Sequence, residues 1–142
     1  MTDFKGKLAL VVDDEPDARD FMSQILEDNG FKIYSAGNGK EAFEKVKEQK
    51  PDVIFLDLMM PEQSGMSFFH NIKKDENYKD IPVIIVSGAS EETGVDMKEI
   101  IYDEGVIQMK KEALGIDAKP AAYVEKPVDP RALIATVKKV LS

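Results

Sequence analysis

Residues 8–16 of the chain read LALVVDDEP, a short apolar string followed at once by three acidic residues and a proline. The apolar part, Leu8–Val12, is nearly continuous, which is typical of a strand that is covered on both faces. Pro16 suits the first turn of a helix, because a backbone N–H would have no helical partner at that position. The stretch therefore predicts a buried parallel strand that leads directly into a helix.

The same order of strand and helix recurs four more times along the chain. Apolar strings predict four further strands, at Phe31–Ser35, Val53–Leu56, Val83–Val86 and Ala121–Val124. Capping and stop signals predict helices from Pro16 to Asn29-Gly30, from Asn38 to before Pro51, from Ser64 to Lys74, and from Asp129-Pro130 onwards. Strands and helices that alternate in this way indicate an α/β protein with right-handed crossovers.

Two of the predicted helices carry their apolar residues on one face. The stripe of the first helix consists of Ala18, Phe21, Met22, Ile25 and Leu26, and that of the last consists of Leu133, Ile134, Val137, Val140 and Leu141. We expect both stripes to pack against the sheet, because this spacing places the side chains in one row along a helix. The only histidine, His70, lies on the third helix and is expected at the surface.

Length and composition narrow the possible functions. The 142 residues are the size of one domain, which we place at residues 1–142. A net charge of −8 argues against direct nucleic-acid binding, because phosphates attract clustered Lys and Arg. The absence of Cys excludes disulfides and thiolate metal sites. Because we find neither a membrane-spanning apolar run nor a signal-peptide pattern, we expect a cytoplasmic protein without membrane insertion.

The interval between the fourth and fifth strands is longer than the pattern requires. Ser87 and Lys126 are 39 residues apart, whereas a helix, a strand and two short loops need about 22–25 residues. We place the surplus as an insertion within about residues 94–120. It predicts either a lengthened fourth helix or a helix plus a short extra one, followed by a loop at about Gly115–Pro120.

Polar residues stand at the ends of four of the five predicted strands. Asp13 and Asp14 follow the first strand, Asp57 follows the third, Ser87 ends the fourth, and Lys126 follows the fifth. Open parallel sheets bind their ligands beyond the carboxyl ends of the strands. We therefore expect these five side chains to meet at one rim of the sheet.

This set of groups is suited to phosphoryl transfer. Clustered carboxylates repel one another, so a cation should hold them ionised, and oxygen ligands without His or Cys favour Mg²⁺, Mn²⁺ or Ca²⁺ over zinc. Lys126 can pair with a phosphoryl oxygen, and the Ser87 hydroxyl can donate a hydrogen bond to it. Asp57 is the best placed nucleophile, because aspartyl phosphates are established covalent intermediates.

Together these residues resemble a response-regulator receiver domain of two-component signalling, similar to the single-domain chemotaxis regulators. The resemblance covers about residues 7–141, and it rests on Asp13-Asp14, Asp57 followed by LMMP, Ser64-Gly65, Ser87 and Lys126-Pro127. It implies a flavodoxin-like, doubly wound sheet of five parallel strands in the order 2-1-3-4-5. It also implies a cis peptide bond at Lys126–Pro127. Ser64 stands where many members of the family have Asp.

The resemblance further implies how the acidic residues act. Asp57 would accept a phosphoryl group from the phosphohistidine of a sensor histidine kinase or phosphotransfer protein. Asp14, Asp57 and the backbone carbonyl of Met59 would bind Mg²⁺ directly, with Mn²⁺ as a substitute, and Asp13 would act mostly through water. A domain of this kind catalyses only its own phosphorylation and dephosphorylation, so we do not expect an enzyme.

Signal output is also implied by the resemblance. Ser87 and Lys126 would hold the phosphoryl group, and Ser87 and Tyr123 would act as the switch. In relatives the output or dimerisation surface is formed by the fourth helix, the fifth strand and the helix that follows it, and the long interval remodels that face here. We expect a downstream protein target that the sequence does not name, and a monomer or a phosphorylation-dependent dimer.

Three other functions fit these residues less well. A phosphatase of the haloacid-dehalogenase type needs a second Asp two residues after the nucleophile, where this chain has Met59. A flavin-binding electron carrier needs a first loop that cradles phosphate, and the acidic DDEPD of residues 13–17 would repel it. The third is a receiver-like module that binds partners without phosphorylation, and we rank it below phosphorylation because every chemical residue is present.

Overall fold

The computed structural model describes residues 4–88 and 97–142. Its strands are β1 Leu8–Val12, β2 Lys32–Ala36, β3 Val53–Leu56, β4 Val83–Ser87 and β5 Ala122–Glu125. They form one parallel sheet in the order β2-β1-β3-β4-β5. The predicted sheet and strand order are confirmed, although β2 and β5 each begin one residue later than expected.

The helices of the described ranges begin close to the predicted capping residues. They are α1 Pro16–Asp28, α2 Gly39–Glu48, α3 Ser64–Lys74, α4 Met97–Tyr102, α5 Glu104–Leu114 and α6 Pro130–Leu141, and a 3-10 turn at Pro61–Gln63 precedes α3. The side chain of Asn38 caps α2 by accepting a hydrogen bond from the Glu41 N–H. None of these helices is both long and apolar enough to cross a bilayer.

The long interval between β4 and β5 contains an additional helix. The chain leaves the helical conformation at Asp103, whose side chain then caps α5 by accepting a hydrogen bond from the Val106 N–H. Helix α5 ends at Gly115, which has a φ of 70° and therefore suits glycine. Of the two predictions for this interval, the structure shows a helix plus an extra helix and not one lengthened helix. The extra helix was expected to be short, but it has 11 residues. Residues 94–96 of the predicted insertion lie outside the described ranges.

Both faces of the sheet are covered by helices. Leu10 and Leu56 point to one face, where they pack in a cluster with residues of α2, α3 and α4. Val11 and Phe55 point to the other face, where they pack with residues of α1 and α6. This alternation explains why the central strands are apolar at every position.

Two expectations about exposure were wrong. Phe21 is 50% exposed, although Met22, Ile25 and Leu26 of the same stripe are buried. Phe21 lies at the edge of the stripe, roughly 90° around the helix from the centre of the three buried residues. His70 is half-buried rather than a surface residue, and its Nε2 atom is buried without a hydrogen-bond partner. The additional helix α5 places Lys110 close to His70 here, and Lys110 also contacts α3, where its Nζ lies 3.6 Å from the sulfur of Met66.

Candidate functional site

The strand ends bring the predicted site residues to one rim of the sheet. Asp13 and Asp14 follow β1, Asp57 follows β3, Ser87 is the last residue of β4, and Lys126 follows β5. The sheet's hydrogen bonding continues past β5, where the Lys126 N–H donates to the Ser87 carbonyl at 3.1 Å. The parallel register of the strands therefore determines which side chains meet at this rim.

The carboxylate of Asp57 is buried and held at both oxygens. Oδ1 accepts hydrogen bonds from the Ser87 hydroxyl at 3.0 Å and from the Met59 N–H at 2.8 Å. Oδ2 accepts a hydrogen bond from Lys126 Nζ at 3.0 Å. Only 6% of the residue is exposed, so these donors take the place of water around the charge. The carboxylate is thus fixed in orientation before any ligand arrives.

The ammonium group of Lys126 bridges two carboxylates. Its Nζ lies 2.7 Å from Asp13 Oδ2 and 3.0 Å from Asp57 Oδ2. Burial by itself would lower the pKa of Lys126, but the hydrogen bonds to Asp13 and Asp57 and the charges of both outweigh it and raise that pKa above its ordinary value. Lys126 therefore carries its charge at the site throughout the physiological range.

The three aspartates form a cluster of oxygen ligands. One carboxylate oxygen of each of Asp13, Asp14 and Asp57 lies within 4.8 Å of the others, and Asp14 is exposed whereas the other two are buried. Mg²⁺ binds through one or two carboxylates and keeps several waters, which suits a cluster that is open on one side. The chemistry of these donors fits the predicted magnesium site. The backbone of Met59 lies against Asp57 through its N–H, and the role of the Met59 carbonyl stays a prediction.

Gly65 lies where the start of helix α3 approaches the loop after β3. A Cβ atom on Gly65 would lie 2.5 Å from the Asp57 carbonyl oxygen and 3.1 Å from the Leu58 Cα. Helix α3 therefore packs directly against the backbone of Asp57, and no side chain fits between them. Ser64, the residue before Gly65, is the first residue of α3.

Tyr123 occupies the position of the predicted switch residue on β5. It is half-buried, lies opposite Ile85 of β4 in the strand register, and packs against the core cluster on the α2, α3 and α4 side. Its movement stays a prediction. The Lys126–Pro127 peptide bond is cis, as the resemblance implied.

The prediction from sequence missed two features beside the site. Nη1 of Arg19 donates a hydrogen bond to the Asp13 carbonyl at 2.7 Å, and the available signal was that Arg19 is the one basic residue in DDEPDARD. A cavity of about 630 Å³ adjoins Asp14 between the loop after β3 and helix α4. Four methionines contribute to its lining, namely Met59, Met60, Met66 and Met97.

Comparison with known proteins finds relatives over nearly the whole chain. Residues 9–138 match the family model of the response regulator receiver domain. The chain is 34% identical over 136 residues to the phosphate regulon transcriptional regulatory protein PhoB of Pseudomonas aeruginosa, which covers 96% of this chain and 52% of that protein. It therefore spans about half the length of the PhoB relatives that it matches. It is also 29% identical to the protein PilH of the same organism, with 94% of this chain and 96% of PilH covered.

Solved structures share the fold. The chemotaxis response regulator CheY4 of Vibrio cholerae superposes with a TM-score of 0.73 at 24% identity, covering 95% of this chain and 98% of that one. A response regulator receiver domain protein from Clostridium thermocellum gives a TM-score of 0.71 at 25% identity, covering 95% and 94% of the two chains. Since the family model matches nearly the whole chain, and the strand order is that of these structures, the protein belongs to the response regulator receiver domain family of two-component signalling.

Proposed function

We propose that the protein is the phosphoacceptor of a two-component system and that Asp57 receives a phosphoryl group from the phosphohistidine of a sensor kinase or phosphotransfer protein. The observation that carries this proposal is the buried Asp57 carboxylate, which accepts a hydrogen bond from a hydroxyl at one oxygen and from an ammonium group at the other, while two further carboxylates lie beside it. A nucleophile of this kind needs no general base, because a carboxylate is already ionised at neutral pH.

The chain's own residues would carry out the transfer as follows. An Asp57 oxygen attacks the phosphorus, a new P–O bond forms, and the P–N bond to the donor imidazole breaks with its electron pair remaining on the nitrogen. Lys126 and Ser87 already donate to the Asp57 oxygens, at 3.0 Å each, so both groups are within reach of an oxygen of the incoming phosphoryl group. Lys126 and Ser87 would be effective because they are in position before the reaction. Donors that are already fixed need no reorganisation when charge develops on the phosphoryl oxygens.

A divalent cation is the proposed cofactor. Asp13, Asp14, Asp57 and the Met59 carbonyl would hold Mg²⁺, with Mn²⁺ as a substitute, and Asp13 would act mostly through water. When bound, the cation would offset the negative charge of the carboxylates and of the phosphoryl oxygens. The receiver domain would catalyse only its own phosphorylation and dephosphorylation.

The proposed output is a change in a protein-binding surface. Once phosphorylated, Asp57 would draw Ser87 and Lys126 towards the new phosphoryl oxygens, and these residues lie at the ends of β4 and β5. Tyr123 is three residues before Lys126 and would move with it. The surface that responds would include α4, β5 and α6, with α5 as an addition particular to this chain. The target of this surface would be a protein, and the receiver would not contact nucleic acid directly. The receiver would act in the cytoplasm, either as a monomer or as a phosphorylation-dependent dimer.

Intact-mass spectrometry tests the proposal. The full chain is incubated with Mg²⁺ and acetyl phosphate, alongside Asp57→Asn and an exposed control, Asp80→Asn. We expect the wild type and Asp80→Asn to gain the mass of one phosphoryl group, and Asp57→Asn to gain none. Chelation of Mg²⁺ should prevent the gain. A folded wild type that gains no mass, or an Asp57→Asn variant that gains as much, would falsify the proposal.

A further inference from the structure

We infer that Arg19 is a positioning residue, whose hydrogen bond to the Asp13 carbonyl holds the Asp13–Asp14 peptide so that both carboxylates, together with Asp57, can bind a divalent cation. This inference rests on the proposed function for the identity of the cation. It adds a residue outside the predicted ligand set, and it makes a prediction about cation binding that can be measured without phosphorylation.

The contact joins the first helix to the peptide unit between the two acids. Arg19 lies near the start of α1, and its Nη1 donates to the Asp13 carbonyl oxygen at 2.7 Å. The Asp13 carbonyl belongs to the planar unit that includes the Asp14 nitrogen. A hydrogen bond to that oxygen therefore restricts the orientation of the peptide plane that leads to Asp14.

The two acids depend on this backbone contact to different degrees. The Asp13 carboxylate is held directly, because its oxygens accept hydrogen bonds from the Glu15 N–H at 3.0 Å and from Lys126 Nζ at 2.7 Å. The Asp14 carboxylate is exposed, and within residues 4–88 and 97–142 no group donates a hydrogen bond to it. The backbone therefore sets where the side chain of Asp14 starts and the directions that its carboxylate can reach, and this backbone is the part that Arg19 holds.

The loop after β2 leaves room for the guanidinium group. A Cβ atom on Gly37 would lie 3.2 Å from Arg19 Nη1, closer than ordinary van der Waals contact. Gly37 does not have a positive φ, so its backbone conformation does not require glycine. Glycine matters at this position for steric reasons: without a side chain on Gly37, Arg19 has room to reach the Asp13 carbonyl.

Charge and geometry predict opposite results when Arg19 is replaced. A positive guanidinium near the cluster repels a divalent cation, so the loss of its charge alone would tighten Mg²⁺ binding or leave it unchanged. The loss of a hydrogen bond that orients metal ligands weakens binding, typically by about 10–100-fold. The direction of the change therefore separates a positioning role from a purely electrostatic one.

Isothermal titration of the full chain with MgCl₂, without a phosphodonor, measures the effect. The variants are Arg19→Gln and the control Arg131→Gln, which removes the same charge from an exposed position on α6. We expect Arg19→Gln to bind Mg²⁺ roughly tenfold more weakly or worse, and Arg131→Gln to bind as the wild type does. Binding by Arg19→Gln that equals or exceeds that of the wild type overturns the inference.

Gly37→Ala provides a second route should Arg19→Gln not fold. The added methyl group would displace Nη1, which is the end of a flexible side chain, while the charge and the acidic loop stay unchanged. We expect a folded protein, shown by its circular dichroism, that binds Mg²⁺ several-fold more weakly than the wild type. Wild-type affinity in Gly37→Ala contradicts the steric part of the inference.

The two proposals fail in distinguishable ways. A wild type that binds Mg²⁺ but gains no phosphoryl group contradicts the proposed function and leaves the positioning role of Arg19 standing. A wild type that is phosphorylated, with an Arg19→Gln variant of unchanged Mg²⁺ affinity, contradicts the positioning role alone. A folded wild type that does not bind Mg²⁺ overturns both.

Discussion

Lys126 and Lys110 occupy opposite surroundings in one small protein. Lys126 pairs with two carboxylates, and its pKa is raised because their hydrogen bonds and charges outweigh the effect of burial. Lys110, on the additional helix α5, is only 9% exposed, and its Nζ lies 3.6 Å from the sulfur of Met66 on α3. Burial lowers the pKa of Lys110, and no carboxylate of the described residues forms an ion pair with it.

The contrast shows which part of the molecule is organised around charge. At the sheet rim the buried charges satisfy one another, so the site is held in place before any ligand binds. Between α5 and α3 the amine of the largely buried Lys110 faces a thioether, which is a weak acceptor, and the Nε2 atom of the half-buried His70 has no hydrogen-bond partner. The contact of α5 with α3 thus places an amine beside a weak acceptor, and we expect this helix to be less firmly fixed than the rim.

Replacement of Lys126 should have the largest effect on activity. Lys126→Met removes a fixed donor to the reacting oxygens, so phosphorylation of Asp57 by acetyl phosphate should slow by about a hundredfold at saturating Mg²⁺. Lys110→Met is the matched control, and its rate should equal that of the wild type. The measurement is the rate of phosphoryl mass gain. Equal losses in the two variants would show that the contrast between the lysines has no bearing on the chemistry.

The same pair of variants should differ in the sign of the stability change. Lys110→Met nearly keeps the length of the side chain and removes a partly buried amine that faces only a weak acceptor, so the free energy of unfolding should rise by about 1 kcal/mol. Lys126→Met leaves two buried carboxylates without their cation, so the free energy of unfolding should fall by about 2 kcal/mol. Urea denaturation in the presence of a chelator measures both changes. A loss of stability in Lys110→Met would contradict the description of this helix contact.

His70 should produce the smallest effect, which depends on pH. Burial, and then the charges of Lys110 and Lys74, lowers the pKa of His70 below its ordinary value of 6.5. As the pH falls through 6.5 the unfolded chain takes up a proton before the folded chain does, so stability is lost until the pH reaches the lower, folded pKa. Above pH 6.5 His70 contributes nothing to this dependence.

Urea denaturation between pH 7.5 and pH 5 can isolate the contribution of His70. His70→Gln should lose less stability over this range than the wild type does, and the difference between the two should shrink in a Lys110→Met background. If the pH profiles of the wild type and His70→Gln are parallel, the pKa of His70 is not lowered in the folded protein as described.

The sheet and its rim could be predicted because their signals are local in sequence. Apolar strings such as Leu8–Val12 predict buried strands, and a parallel sheet necessarily gathers the residues that follow its strands. Asp13, Asp14 and Asp57 each follow a strand directly, so no knowledge of distant contacts was needed to bring them together. The structure places one carboxylate oxygen of each within 4.8 Å of the other two.

The contacts of α5 and Arg19 could not be predicted because they depend on tertiary neighbours. Met109 of α5 is 56% exposed while the adjacent Lys110 is buried, so the apolar pattern does not mark the inner side of this helix. Arg19 reaches the Asp13 carbonyl only because Gly37, from a different strand connection, has no side chain in the way. The sequence marks Arg19 as the one basic residue beside the acids, but the residues that decide both contacts, Met66 for Lys110 and Gly37 for Arg19, are distant in sequence.

The most direct test of the central claim is to locate the phosphoryl group on the chain. The protein is treated with acetyl phosphate and Mg²⁺, the acyl phosphate is reduced with borohydride, and the peptides are sequenced by tandem mass spectrometry. We predict modification at Asp57, with Asp13 and Asp14 unmodified, and none at all when Mg²⁺ is chelated. Modification centred on Asp13 or Asp14, or an equal yield without Mg²⁺, would contradict the assignment of Asp57 as a metal-dependent phosphoacceptor.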